Sequence, residues 1–270
     1  MNPVELDIIP KIEEHLTWLE IDREALLRNL EKVRAFTLPT AEILAVVKAN
    51  AYGHGLLEVA EILSKKVAYL GVASIEEAHK LRRSGIETPI LLFGIQFEPQ
   101  IRIAIHSNIT LSLSSLEQAE MVNRISEELA KPARVHIKVD TGMGRLGIPL
   151  GIAKRAIVKI ATLPNLKLEG IYTHFPSAEK IEEPFTTKQI HDFSELIQSL
   201  SDKGISFAYR HSANSAGIFY HKSSHLNMVR PGLALYGIYP HPEIRKKIEL
   251  EPVLAWRSRV ILVKDLKAGE

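Results

Sequence analysis

The stretch Ile43–Ala73 reads ILAVVKANAYGHGLLEVAEILSKKVAYLGVA. It opens on an apolar run, Ile43–Val47, with the length and β-branched content of a buried strand. Leu56, Val59, Ala60, Ile62 and Leu63 then recur at three- and four-residue spacing, which makes one buried stripe on a helix. A second apolar run follows at Tyr69–Ala73. A strand, a helix and another strand are thus packed into one short segment.

The same alternation continues outward. Ile90–Phe93, Ile109–Leu113, Val135–Val139, Leu168–Tyr172, Phe207–His211 and Met228–Leu233 bring the apolar runs to eight. Helical spacing recurs at Ile75, Ala78, His79 and Leu81, at Leu116, Ala119, Met121, Val122 and Ile125, and at Ile190, Phe193, Leu196, Ile197 and Leu200. Ser74-Ile75-Glu76-Glu77 is a capping box, and Ser84-Gly85 stops the helix it starts. Asp22 stands where it caps a helix over Arg23–Arg34, and Asp202-Lys203-Gly204 ends the helix before the seventh run. Eight such units in about 200 residues predict an α/β fold, a (β/α)8 TIM-type barrel, which typically takes ~250 residues. A doubly wound open sheet is the alternative, and the count of eight favours the barrel.

Two segments fall outside that plan. Thr17–Ile21 predicts an extra strand before the first helix, and Val253–Val263 predicts a strand-like run after the polar stretch His241–Glu251. The expected division is an N-terminal extension over 1–16, a barrel over 17–245, and the start of a truncated C-terminal β domain over 246–270.

Composition excludes several classes. Among 270 residues, 34 are Lys or Arg and 32 are Asp or Glu, a net charge of +2 that argues against a broad phosphate-binding face for nucleic acid. The absence of cysteine rules out disulfides, thiolate nucleophiles and Cys-ligated zinc or iron–sulfur centres. No segment reaches the ~18 apolar residues of a membrane span. Met1–Leu16 carries Glu5, Asp7, Lys11, Glu13 and Glu14 and has no signal-peptide core. A cytoplasmic protein with no membrane partner is expected.

In a barrel, chemistry sits at the C-terminal ends of the strands. After the first run comes Lys48-Ala49-Asn50-Ala51-Tyr52-Gly53-His54-Gly55. A lone lysine ordinarily snorkels to solvent. In the barrel mouth, partial desolvation lowers its pKa and leaves a nucleophilic amine. After the fifth run comes Asp140-Thr141-Gly142-Met143-Gly144-Arg145-Leu146-Gly147. Its glycines let backbone amides approach a ligand, and Arg145 offers a fork for a carboxylate or phenolate. Strand alternation places Lys138 on one face with His136 and Asp140. A lysine near Arg145 needs a negative partner or a covalent modification.

Thr173-His174-Phe175 follows the sixth run and His211-Ser212-Ala213-Asn214-Ser215-Ala216-Gly217 the seventh. Ser215 and Gly217 at a strand-to-helix turn suit an anion, and barrels often build a phosphate site from the loops after strands seven and eight. Arg230-Pro231-Gly232 ends the eighth run, where Gly232 adds a bare amide. His54, His174 and His211 lack metal-site spacing, so no metal is expected; Walker A and dinucleotide fingerprints are absent. A reactive lysine plus a phosphate cradle points to pyridoxal 5′-phosphate as cofactor. A Schiff-base aldolase acting on sugar phosphates fits the same parts.

Four segments in order carry a more specific signal. Ala45–Gly55 resembles the cofactor-lysine signature of bacterial alanine racemases, pyridoxal-phosphate enzymes of fold type III. Val139–Gly147, His211–Ser215 and Val229–Gly237 resemble three further segments of that family. The resemblance implies interconversion of L-alanine and D-alanine through a pyridoxal phosphate aldimine on Lys48, supplying D-alanine for cell-wall peptidoglycan. It implies that Lys48, Arg145 and His174 are catalytic and that Lys48 is also the base on the D-alanine face. Tyr52, Ser215, Gly232 and Leu233 would hold the phosphate, and His211, Asn214 and Tyr236 complete the cofactor set. Arg230 would face the pyridine nitrogen, flanked by His174 and His211 in a hydrogen-bonded chain. Arg145 would bind the substrate carboxylate and the cofactor's phenolic oxygen. Lys138 matches the family's carbamylated lysine.

The family's second base is a tyrosine on the C-terminal β domain, donated across a homodimer, and it lies beyond the segment resembling Arg257–Glu270. The alternative expectation is therefore a cofactor-binding barrel with little racemisation and a weakened or lost dimer.

Overall fold

The computed structural model describes residues 15–182 and 184–270. Most of the N-terminal extension expected over 1–16 lies outside them. Strand β1 (Thr17–Ile21) comes first, outside the main ring. The ring consists of β2 (Glu42–Val46), β3 (Tyr69–Val72), β4 (Ile90–Leu92), β5 (Thr110–Leu113) and β6 (Ala133–Asp140), followed after a two-residue spur, β7 (Ile148–Pro149), by β8 (Leu166–Tyr172), β9 (Tyr209–His211) and β10 (Met228–Val229). All neighbours are parallel. Met228 opposite Glu42 and Val229 opposite Ile43 close the ring. The fold is a (β/α)8 barrel, as the eight runs predict.

Both faces of the ring are covered, so its strands read as continuous apolar runs rather than alternating ones. Tyr69–Val72 and Ile90–Leu92 are buried throughout. Inside, Gly71 leaves room for its neighbours: a Cβ there would sit 2.6 Å from Leu44 and from the Phe93 ring.

Helices fill the intervals as the stripes predict, over Arg23–Phe36, Leu56–Leu63, Ile75–Arg83, Leu116–Glu128 and Pro184–Ser201. Asp22 caps the first by accepting from the Ala25 amide at 2.9 Å. Ser74 accepts from the Glu77 amide at 3.3 Å, but Glu77 does not complete the box on Ser74. Its carboxylate instead accepts from the amides of Ala73 at 2.9 Å and Asn50 at 3.1 Å. The cap therefore ties the helix to the loop after β2.

The eighth run is shorter than predicted, because Pro231 has no N–H to donate to a ladder. The terminal run Val253–Val263 also shortens. Only β11 (Leu254–Ser258) forms a ladder, antiparallel to β1 with Thr17 opposite Ser258, and one further bond, from the Arg259 amide to the Leu16 carbonyl at 2.9 Å, follows it. Among the described residues, no helix is long and apolar enough to cross a membrane.

Asn29 joins the first helix to the closing segment. Its amide donates to the carbonyls of Leu235 at 3.1 Å and Glu251 at 2.7 Å, and its Oδ1 accepts from the Glu251 amide at 2.9 Å. The side chain is fully buried, so Asn29→Ala strands backbone groups with no water to replace it. The expected loss is about 3 kcal/mol, read as a lower urea midpoint with an unchanged slope.

Candidate active site

Lys48 follows β2 directly and begins an unusual backbone. Ala49, Asn50, Ala51 and Tyr52 have φ of 53°, 53°, 53° and 55°, a left-handed turn of non-glycine residues closed by Gly53 at φ 89°. Each such residue costs on the order of 1 kcal/mol. The turn is held by external bonds. The Asn50 amide donates to Glu77, and Asn50 Oδ1 accepts from the Leu56 amide at 2.9 Å. The Tyr52 ring packs on Tyr236 at 5.1 Å. The turn sends Tyr52 back over the mouth of the barrel beside Lys48.

A cavity of about 440 Å³ opens there. Lys48, Tyr52, Lys138, Arg145, His174, Asn214, Ser215, Arg230, Gly232 and Leu233 all line it, so most of the predicted residues converge. Two do not reach it. His211 is wholly buried behind Arg230, and Tyr236 lies beneath Tyr52 with its hydroxyl donated to the Val46 carbonyl at 3.0 Å.

One wall is a cradle for an anion. Ser215 Oγ accepts from the amides of Gly232 at 3.0 Å and Ala234 at 3.3 Å. Asn214 caps the short helix Ser215–Tyr220 by accepting from the Gly217 amide at 3.0 Å. The Tyr52 hydroxyl closes the opposite side: a Cβ on Gly232 would sit 2.6 Å from it. Hydroxyls, a bare glycine and helix-start amides around one small space fit a phosphate.

The other wall is cationic. Arg230 is 4% exposed. It donates to the carbonyls of Thr173 at 2.7 Å and Ser212 at 3.1 Å, and to Nδ1 of His211 at 2.9 Å and of His174 at 3.3 Å. No carboxylate pairs with it among the described residues. Burial lowers its pKa to about 10, which leaves it charged. The imidazoles therefore accept and stay neutral. Burial, with Arg230 beside it, pushes His174 down to about 3 and His211 well below its usual value.

Burial also lowers Lys48, helped by Arg145 and Arg230. Lys138, 5% exposed, is lowered to about 8 by burial and then by the same two arginines.

The glycine-rich loop after β6 is arranged differently from expectation. Asp140 turns its carboxylate into the loop and accepts from the amides of Gly142, Met143 and Gly144 at 2.9, 2.8 and 2.9 Å. Those amides serve the loop rather than a ligand. Gly147, at φ 124°, is required because a Cβ would meet the Asp140 nitrogen at 2.7 Å. The loop thus presents Arg145 at the rim.

Sequence reading missed Phe93, Tyr172, Glu179 and Pro240, which also line the cavity. Tyr172 stacks on His211 with centroids 4.7 Å apart and planes 6° apart. Strand alternation offered a signal for it, since it stands two residues before His174. Glu179 comes from a loop without a pattern. His191, Asp192 and Glu195 form a cluster with metal-ligand reach, but on an exposed helix face away from the cavity lining.

A partly desolvated lysine, a cradle of hydroxyls around a bare glycine and a cationic wall thus meet at the mouth of a parallel barrel, where barrel enzymes carry their active sites. The chain belongs to the alanine racemase family: the family model described as alanine racemase, N-terminal domain, matches residues 21–240. The chain is 44% identical over 255 residues to an alanine racemase of Methanococcus maripaludis, covering 93% of this chain and 68% of that protein. It is 40% identical to one of Desulforamulus reducens, covering 69% of it. An alanine racemase structure from Clostridium difficile 630, in complex with cycloserine, superposes with a TM-score of 0.90 at 36% identity, covering 93% of this chain and 70% of that one. An alanine racemase structure from E. faecalis gives 0.88 at 33% identity, covering 95% and 69%. The chain thus spans about two thirds of these relatives' length.

Gly232→Ala forces Tyr52 away from the cradle. It is expected to weaken binding of inorganic phosphate at least about tenfold, measured by titration, with the circular dichroism spectrum unchanged. The neutral histidines give a pH signature as well. Each folded pKa lies below the unfolded value of about 6.5, so only the unfolded chain takes up protons as pH falls from there. Stability is full above about pH 6.5 and declines toward the folded value of about 3. His174→Asn removes one such group, and the urea midpoint is expected to decline less steeply with falling pH.

Proposed function

We propose that this chain acts as an alanine racemase, holding pyridoxal 5′-phosphate on Lys48 and interconverting L- and D-alanine, the D-isomer serving as a peptidoglycan building block. The observation that carries this reading is the meeting of Lys48 with the Tyr52–Ser215–Gly232 cradle and Arg230 in one cavity. When bound, pyridoxal phosphate supplies an electron sink that acidifies the α-proton of an attached amino acid.

The chain's own residues do the rest. Tyr52, Ser215, Gly232 and Leu233 hold the phosphate and so fix the register of the group. Asn214 supports them by capping the helix that carries Ser215. Tyr236 supports the Tyr52 ring from below. Arg230, a donor with no acceptor, would be the residue to hold the ring nitrogen of the bound group, and would keep that nitrogen unprotonated and so moderate the sink. His174 and His211 keep Arg230 aimed through the bonds they accept. Arg145 binds the substrate carboxylate at the rim. Lys48 Nζ, lowered by burial and its cationic neighbours, takes and returns the α-proton on the D-alanine face.

Lys138 is read as carbamylated. Its lowered pKa leaves a share of neutral amine near neutrality. That neutral amine adds to carbon dioxide: an N–C bond forms as one C=O π bond opens, one proton leaves the nitrogen, and a neutral group becomes a carbamate anion beside Arg145 (two protons leave when counted from the ammonium form). The ribbon of β1 and β11 is read as a β unit separate from the barrel.

Exchange of the α-proton in D2O with pyridoxal phosphate, followed by NMR on each enantiomer of alanine, tests the assignment. D-alanine is expected to exchange with the unaltered chain and to stop exchanging in Lys48→Ala, with at least a ~100-fold loss. Retained exchange in that variant would remove Lys48 from the mechanism. Carbon-13 bicarbonate is expected to give a carbamate resonance that Lys138→Ala abolishes.

A further inference from the structure

Arg230 is aimed by His211, and His211 is in turn bonded to a residue that lies outside the cavity. His211 Nε2 lies 2.9 Å from Nδ1 of His136, on β6. His136 is fully buried and contributes nothing to the cavity lining.

Donor logic fixes every proton in this chain. A guanidinium only donates, so His211 Nδ1 accepts from Arg230 and is bare. A neutral His211 then carries its proton on Nε2, which points at His136. His136 Nδ1 must accept it, so a neutral His136 carries its own proton on Nε2. That nitrogen is buried and has no partner among the described residues. A native interior seldom leaves such a group unsatisfied.

The surroundings reserve the place. A Cβ on Gly170 would lie 2.5 Å from His136 Nδ1, so the adjacent strand has a glycine where the ring passes. Tyr209 stacks on His136 at 5.9 Å, and Tyr172 stacks on His211 at 4.7 Å, which fixes both ring planes. Below His136, Glu169 accepts from Tyr69 at 3.0 Å and from Arg134 at 2.8 Å and pairs with Lys167 at 3.2 Å. Its charge is thus already compensated and does not call for a cationic His136. Burial lowers His136 to about 3, in keeping with a neutral ring.

We propose that His136 is a positioning residue for Arg230: by accepting the Nε2 proton of His211 it locks that ring in the tautomer whose bare Nδ1 holds the guanidinium. The inference rests on reading Arg230 as the residue facing the cofactor ring. An interior imidazole thereby sets how firmly a donor is presented in the cavity.

Asparagine and leucine share the same branched skeleton of four side-chain heavy atoms, leucine being the bulkier; only asparagine returns an acceptor, Oδ1, toward the place where Nδ1 stood. The test begins with long-range nitrogen–proton correlation on histidine-labelled, unsubstituted protein without cofactor. Both His136 and His211 are expected to be neutral and protonated at Nε2 between about pH 5 and 8. His136→Asn is expected to keep the His211 tautomer and the pyridoxal phosphate affinity within about twofold, whereas His136→Leu is expected to lose the single tautomer and about tenfold in affinity. A proton on His211 Nδ1 in the unsubstituted protein would overturn the proposal even where a variant fails to fold. So would a His136→Leu protein matching His136→Asn in tautomer and affinity. An unsubstituted chain with both Nε2 tautomers but no pyridoxal phosphate binding would sink the cofactor reading and leave His136 as the group that positions Arg230.

Discussion

Arg230 is a guanidinium taken out of water without a carboxylate to neutralise it. A buried unpaired charge is among the most costly things a fold can contain, and it persists only when its donors are satisfied. Here the carbonyls of Thr173 and Ser212 and two neutral imidazoles do so. Those acceptors come from the ends of β8 and β9, and Arg230 from the end of β10. These three strands are parallel neighbours, which puts their ends on one side around one group, and the β10–β2 pairing that closes the ring brings the end of β2, with Lys48, beside them.

The remaining cations follow from that arrangement. Lys48 and Lys138 share a cavity with Arg145 and Arg230, and each is driven toward its neutral form by burial and by the others. The neutral amine is the nucleophile that Schiff-base and carbamate chemistry need, and lowering an amine's pKa raises the share of it. Backbone strain serves the same end. The left-handed turn after Lys48 is a local cost that Glu77, Asn50 and the Tyr52–Tyr236 contact offset, and its result is to place a lysine and a tyrosine hydroxyl on one wall.

Much of this was legible in the sequence because strand number and strand ends are written in local patterns. Eight apolar runs gave the ring, and the residues just after each run gave Lys48, Arg145, Ser215 and Arg230. What escaped depends on three-dimensional closure. The glycines of the 142–147 loop looked like ligand-facing amides, yet they wrap the Asp140 carboxylate, a choice made by the end of β6 and invisible to spacing. Tyr172 reads as one more apolar strand residue until the ring stacks it on His211. His136 looked like a neighbour of Lys138 on one strand face, and only closure sets it against His211. The left-handed turn carries no glycine before Gly53 and so gives no local warning of its handedness.

The central claim is that Lys48 is the residue that joins pyridoxal phosphate in the cavity. Borohydride reduction of the loaded protein, followed by peptide mass mapping, reads it directly. The expected result is a single pyridoxyl-phosphate mass increment on the peptide containing Lys48, absent when the cradle is blocked by Gly232→Ala at limiting cofactor. The increment on another lysine, or spread over surface lysines with none on Lys48, would contradict the account.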